Sequence, residues 1–95
     1  MLSMGLLTLK LEIPGCASLK EKRGRLKPLI TRLHREFDVS AAEVGEMDAW
    51  QSSIVACGMV SNDPDHTSRS LQKVAPWIEN YWPDVTVIEE KLELR

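Results

Sequence analysis

Leu7, Leu9, Leu11 and Ile13 alternate with Thr8, Lys10 and Glu12, a period of two that predicts a strand over residues 4–13 with one buried face. Pro14-Gly15 ends it. The period then becomes helical: Leu19, Leu26, Ile30, Leu33 and Phe37 fall on one face, and Ser18 stands three residues before Glu21 as a capping box, predicting a helix over 18–37. Pro28 lies inside it and should kink it or loosen its first half, because the ring clashes with the Gly24 carbonyl and removes a hydrogen bond. Residues 38–45 (DVSAAEVG) and 53–61 (SIVACGMVS) read as two further strands, joined through the stretch EVGEMDAWQSS at 43–53. Asp63 and Pro64 are the N-cap and first residue of a second helix. Its buried face carries Leu71, Val74, Ala75, Ile78 and Trp82, Pro76 interrupts it, and Pro83-Asp84 stops it. Val85, Val87, Ile88, Leu92 and Leu94 mark a last strand.

The order βαββαβ predicts a ferredoxin-like α+β sandwich: a four-stranded antiparallel sheet in order 4-1-3-2 with two helices on one face. In that topology CASLKEKR (16–23), EMDAWQ (46–51) and YWPD (81–84) meet at one pole. The turn after the third strand lies at the other pole. The third strand is apolar on both sides, with Ile54, Ala56 and Val60 on one and Val55, Cys57 and Met59 on the other. Only one side can be under the helices. We assign Val55, Cys57 and Met59 to the open face, where such a row calls for a second subunit and so for a dimer. The first strand would rim that interface with Thr8, Lys10 and Glu12. The plainer account is that Trp50 or the chain ends fold over the row.

Composition adds boundaries. With 95 residues, 43% of them hydrophobic, the chain is expected to form a single domain over 1–95 with a modest core. There is no linker, repeat, signal-peptide pattern or membrane-length apolar run, so a cytoplasmic protein is expected. Cys16 and Cys57 lack metal or redox spacing and read as reduced thiols. His34 and His66 stand alone, as surface or capping residues, so neither a metal site nor a cofactor is expected.

Charge changes the picture more. Residues 1–37 hold eight basic and three acidic side chains, a balance of +5, whereas residues 38–95 hold four and eleven, a balance of −7, within a net charge of −2. Such asymmetry marks either a surface for nucleic acid or an acidic partner, or two halves that attract one another. At the shared pole, Glu43, Glu46 and Asp48 approach Lys22 and Arg23, which reads as a structural polar cluster tying hairpin to helix. The competing reading is a recognition surface in which Lys20, Lys22, Arg23, Arg25 and Lys27 present cations beside Trp50 and Gln51. Trp77 falls off the apolar face of the second helix, either to meet a partner or to fold back over its own helix.

The run SLKEKR, the segment VSAAEVGEMDAWQSS and VSND before a helix together resemble the YlxP family of small bacterial proteins, in the same order and over nearly the whole chain. The resemblance implies a ferredoxin-like fold, no established enzymatic activity, and genes often near those for translation initiation and ribosome maturation factors. Pro28 and Pro76 depart from the family's more regular helices. Other uses of the fold fit poorly. An acylphosphatase needs a glycine-rich phosphate cradle, and PGCASLKEKR has a single glycine. An RNA-recognition motif needs aromatics on the first and third strands, where Thr8, Lys10, Val55, Cys57 and Met59 stand instead. No nucleophile and base pair for an enzyme. Two readings remain: a non-enzymatic module binding RNA or the ribosome through the first helix, and a homo-oligomeric protein-interaction or small-ligand regulatory domain.

Overall fold

The computed structural model describes residues 1–95. The chain forms β1 (Ser3–Glu12), α1 (Leu19–Phe37), β2 (Ser40–Gly45), β3 (Ser52–Ser61), α2 (Pro64–Gln72), α3 (Val74–Tyr81) and β4 (Thr86–Leu94). The strands make one antiparallel sheet in order β2-β3-β1-β4, which is 4-1-3-2 counted from the other edge. This is the ferredoxin-like α+β sandwich that the element order predicts. Leu7, Leu9, Leu11 and Ile13 are buried as one row, and they meet Leu26, Leu29 and Leu33 of α1 with Leu71, Val74, Ala75 and Ile78 of α2 and α3 in a single core. α1 lies beside β2 and α3 beside β4.

Local chemistry accounts for most boundaries. Cys16 N–H donates to the Ile13 carbonyl at 3.3 Å around Pro14 and Gly15, whose φ of 72° is the left-handed value a type II turn requires at its third position. Ser18 caps α1 by accepting from Glu21 N–H at 3.0 Å. Asp63 caps α2 by accepting from Asp65 N–H at 3.0 Å, with Pro64 as first helical residue. Gly5 lets α2 approach β1 closely, since a Cβ there would stand 2.6 Å from side-chain carbons of both Leu71 and Thr67.

The two helix prolines behave differently. α1 runs unbroken through Pro28, against the expected loosening of residues 19–25. Pro28 and Gly24 both lie on the exposed side, so water can serve the Gly24 carbonyl that loses its donor, and nothing crowds that side of Gly24. Pro76 does interrupt: the second helix divides at Lys73 into α2 and α3. Pro76 thereby falls in the first turn of α3, where a missing N–H is harmless.

The assignment of Val55, Cys57 and Met59 to the open face is corrected. Cys57 pairs with Leu7 and Val55 with Leu9, and residues opposite one another in an antiparallel pair project to the same side. The row is therefore under the helices, with Val55 and Cys57 fully buried and Met59 nearly so. The open face instead carries Ile54, Ala56, Gly58 and Val60. It also carries the β1 residues Thr8, Lys10 and Glu12, on the side anticipated for them.

Candidate functional site

On α1, positions 22, 26, 29 and 33 form the core stripe, and the first of them is a lysine. Lys22 is 1% exposed. Its ammonium has three hydrogens, and each has an acceptor: the Glu46 carbonyl at 2.7 Å, the Ala49 carbonyl at 2.7 Å and Glu43 Oε2 at 2.8 Å. Glu43 Oε2 also accepts from Ser53 Oγ at 2.7 Å. A buried charge is tolerable only when it is fully paired in this way.

This clamp explains the composition of EVGEMDAWQSS. Glu43 is the counter-ion, and Gly45 has no room for a side chain, because a Cβ would meet Ile54 Cγ1 at 2.9 Å. Glu46 adopts the left-handed φ of 53°, which turns its carbonyl to accept from both Ala49 N–H at 3.1 Å and Lys22. A left-handed non-glycine residue costs about 1 kcal/mol, and the two bonds to its carbonyl offset that. Gln51 closes the pole by donating Nε2–H to the Cys16 carbonyl at 3.3 Å, while its backbone carbonyl accepts from Ile13 N–H at 2.8 Å.

The expected polar cluster therefore forms, with altered membership. Lys22 and Glu43 are its centre, and Glu46 enters through its carbonyl, its carboxylate reaching Lys10 only at 3.9 Å. Asp48 is exposed and pairs with no cation, because it sits at the tip of the turn. Arg23 is exposed and outside the cluster: one step along a helix turns a side chain by about 100°, away from the core stripe. Gln51 belongs to the pole's framework rather than to a binding surface.

The remaining cations divide between the two flanks of α1. On the flank toward α3, Arg25 donates Nη1–H to the Pro14 carbonyl at 2.9 Å and Nη2–H to the Asp84 carbonyl at 2.6 Å, which ties 81–84 to α1 and the turn before it, as Lys22 and Gln51 tie 16–23 to 46–51. Arg32 pairs with Glu36 at 3.1 Å and lies 5.5 Å from the Trp77 ring centroid. Trp77 is correspondingly a packing residue, with Phe37 and Tyr81 each at 5.7 Å and Trp82 at 6.0 Å between ring centroids. Sequence spacing put it off the buried face, because the face counted was that toward the sheet and not the one toward α1.

On the flank toward β2, Lys20, Arg23 and Lys27 are exposed and none has a carboxylate within 4 Å. With Thr31 and His34 their spacing of three and four residues makes one stripe. The last four border a groove of about 380 Å³ between α1 and β2, floored by Leu26 and Ile30 and lined also by Glu43, whose carboxylate Lys22 holds. His34 ties the last turn of α1 to the chain entering β2, its Nδ1–H donating to the Val39 carbonyl at 2.7 Å. Trp50 is 53% exposed and follows directly on the carbonyl that Lys22 holds. Elsewhere, Cys16 and Cys57 are free and buried, and burial pushes the Cys57 thiol up to about 11, so it stays protonated at neutral pH. No three His, Cys, Asp or Glu residues are placed to hold a metal ion, and no helix is long and apolar enough to cross a membrane.

Residues 4–91 match a family described as "Protein of unknown function (DUF503)". The chain is also 38% identical over 69 residues to a Bacillus subtilis (strain 168) protein named "Uncharacterized protein YlxP", covering 73% of this chain and 75% of that relative. The chain belongs to this YlxP-like family, as the resemblance of its motifs implied.

Proposed function

We propose that the protein is a non-enzymatic binding module that holds RNA, alone or on the ribosome, against the β2-facing flank of α1. The observation that carries this reading is the sidedness of the helix. Lys22, Arg25 and Arg32 are engaged within the fold, whereas Lys20, Arg23 and Lys27 stand in one exposed stripe with no carboxylate within 4 Å. Cations spaced along a groove contact successive phosphates, and an exposed tryptophan at the end of the stripe offers a base a stacking surface. Trp50 supports that role, being exposed in the loop that Lys22 ties to α1.

The test is binding of single-stranded RNA and of ribosomes as a function of salt. Three phosphate contacts give a slope of log K against log salt of about −2. Changing Lys20, Arg23 and Lys27 together to Glu is expected to abolish binding and its salt dependence while leaving the melting curve in place. Arg25 is kept, because it ties the ends of the pole together. Trp50→Ala is expected to weaken RNA binding by about 1 to 3 kcal/mol. Unchanged binding by the triple variant would overturn the reading.

A further inference from the structure

We propose that a second copy of this chain docks on the open face of the sheet, about a two-fold axis that runs along the strands between β1 and β3. The centre of the face carries exposed apolar side chains, with Met4 46%, Leu6 40% and Val60 66% accessible, while its β4 edge carries the exposed cations Lys91 and Arg95. These three side chains, Ser40 and Arg95 border a hollow of about 430 Å³ over Gly58. Neither Trp50 nor the first two residues, all well exposed themselves, folds over it.

The face is complementary to itself. Leu6 pairs with Gly58, Thr8 with Ala56, Met4 with Val60 and Lys10 with Ile54 across the β1–β3 ladder. A two-fold between those strands lays β1 of each copy over β3 of the other at the same level. Leu6 then fills the partner copy's hollow at Gly58, reciprocally. Thr8 lies over Ala56, and Met4 over Val60.

The outer strands follow the same rule, with β4 over β2. Lys91 shares a row with Thr8 and Ala42 with Ala56, so Lys91 lies over Ala42. Glu93 shares a row with Leu6 and Ser40 with Gly58, so Glu93 lies over a hydroxyl. Lys10 lies over Ile54. No charge in these rows meets its like, and the small residues of the central rows let two sheets approach to the usual face-to-face spacing of about 10 Å.

Four strands of this length present about 600 Å² per copy by strand spacing and rise. The two copies together bury about 1,200 Å², the lower limit for a stable specific interface. This contact is independent of the RNA reading, because α1 lies on the opposite side of the sheet.

Sedimentation equilibrium at micromolar concentration tests it, and a dimer is expected. Gly58→Leu is the discriminating variant: nothing stands within 4 Å of a Cβ at this position, so the monomer accepts the side chain, but the hollow is filled. It is expected to keep or raise the melting temperature while raising the dimer dissociation constant at least about tenfold, an effect worth 1.4 kcal/mol per factor of ten. Leu6→Asp should give a monomer, and the triple Glu variant of α1 should still dimerise. A wild-type chain that stays monomeric leaves the face to a different protein and overturns the proposal. A dimer that Gly58→Leu and Leu6→Asp both leave as tight as the wild type overturns it too.

Discussion

The two poles of the sheet are tied off by different chemistry. Where β2 turns into β3, six residues separate the strands, and the carbonyls of Glu46 and Ala49 point inward, beyond reach of the ladder. One ammonium from α1 gathers both with the Glu43 carboxylate. Where β3 turns into α2, only Asn62 and Asp63 intervene, and the buried groups are neutral hydroxyls. Ser3 Oγ–H donates to Thr67 Oγ1 at 3.2 Å, Ser61 Oγ and Thr67 Oγ1 lie 2.6 Å apart, and the Thr67 hydroxyl reaches the Asp63 carbonyl at 3.3 Å. A long connection leaves carbonyls that only a long, multiply donating side chain can reach. A short one lets the next helix bring its own first-turn hydroxyl to the strand ends.

That difference sets how much each pole can lose. Removing one member of a buried ion pair strands a charge, whereas removing one hydroxyl strands a dipole. Lys22→Met keeps the apolar stem of the side chain out to Cε and removes only the ammonium. It leaves Glu43, whose side chain is 15% exposed, with Ser53 alone, the Ala49 carbonyl without a donor, and the Glu46 carbonyl with Ala49 N–H only. A loss of about 3 to 5 kcal/mol is expected, read from chemical denaturation. A loss below about 1 kcal/mol would mean that water replaces the ammonium and that the clamp holds nothing.

The neutral pole should give a smaller effect through a nearly isosteric change. Thr67 is fully buried, and Thr67→Val replaces its hydroxyl by a methyl while keeping the contact with Gly5. Ser3 and Ser61 then lose their shared partner. The expected cost is about 1 to 2 kcal/mol, again by denaturant midpoint. A cost equal to that of Lys22→Met would erase the distinction between the poles.

The distinction was only half legible in the sequence. The meeting of 16–23, 46–51 and 81–84 follows from the order of elements, and the two N-caps from Ser18 and Asp63 with their followers. The stripe traced through Leu19, Leu26, Ile30, Leu33 and Phe37 omits Lys22, because lysine is discounted when an apolar stripe is traced. Counting Leu26, Leu29 and Leu33 back by one turn lands on position 22, and that gap in the stripe was the available signal. The face of β3 was not legible at all from its own residues. Both sides are apolar, and the decision lies in a long-range register, Leu7 against Cys57, which no local periodicity contains. Trp77 failed similarly, since its partners Phe37 and Arg32 lie on another helix.

The smallest expected effect separates the clamp from the surface beside it. Arg23 is the next residue after Lys22 and carries the same charge, yet it is exposed and has no carboxylate within 4 Å. A stability map built on charge alone would treat the two alike. Geometry does not: one helical step takes Arg23 out to the groove, where water solvates it in both folded and unfolded chains, so Arg23→Ala is expected to move stability by no more than about 0.5 kcal/mol. The same substitution removes one of three phosphate contacts and should flatten the salt slope of RNA binding by about 0.7. Thermal denaturation and RNA titration on this one variant therefore answer separate questions. A marked loss of stability would return Arg23 to the structural cluster, and an unaltered salt slope would take it out of the RNA surface.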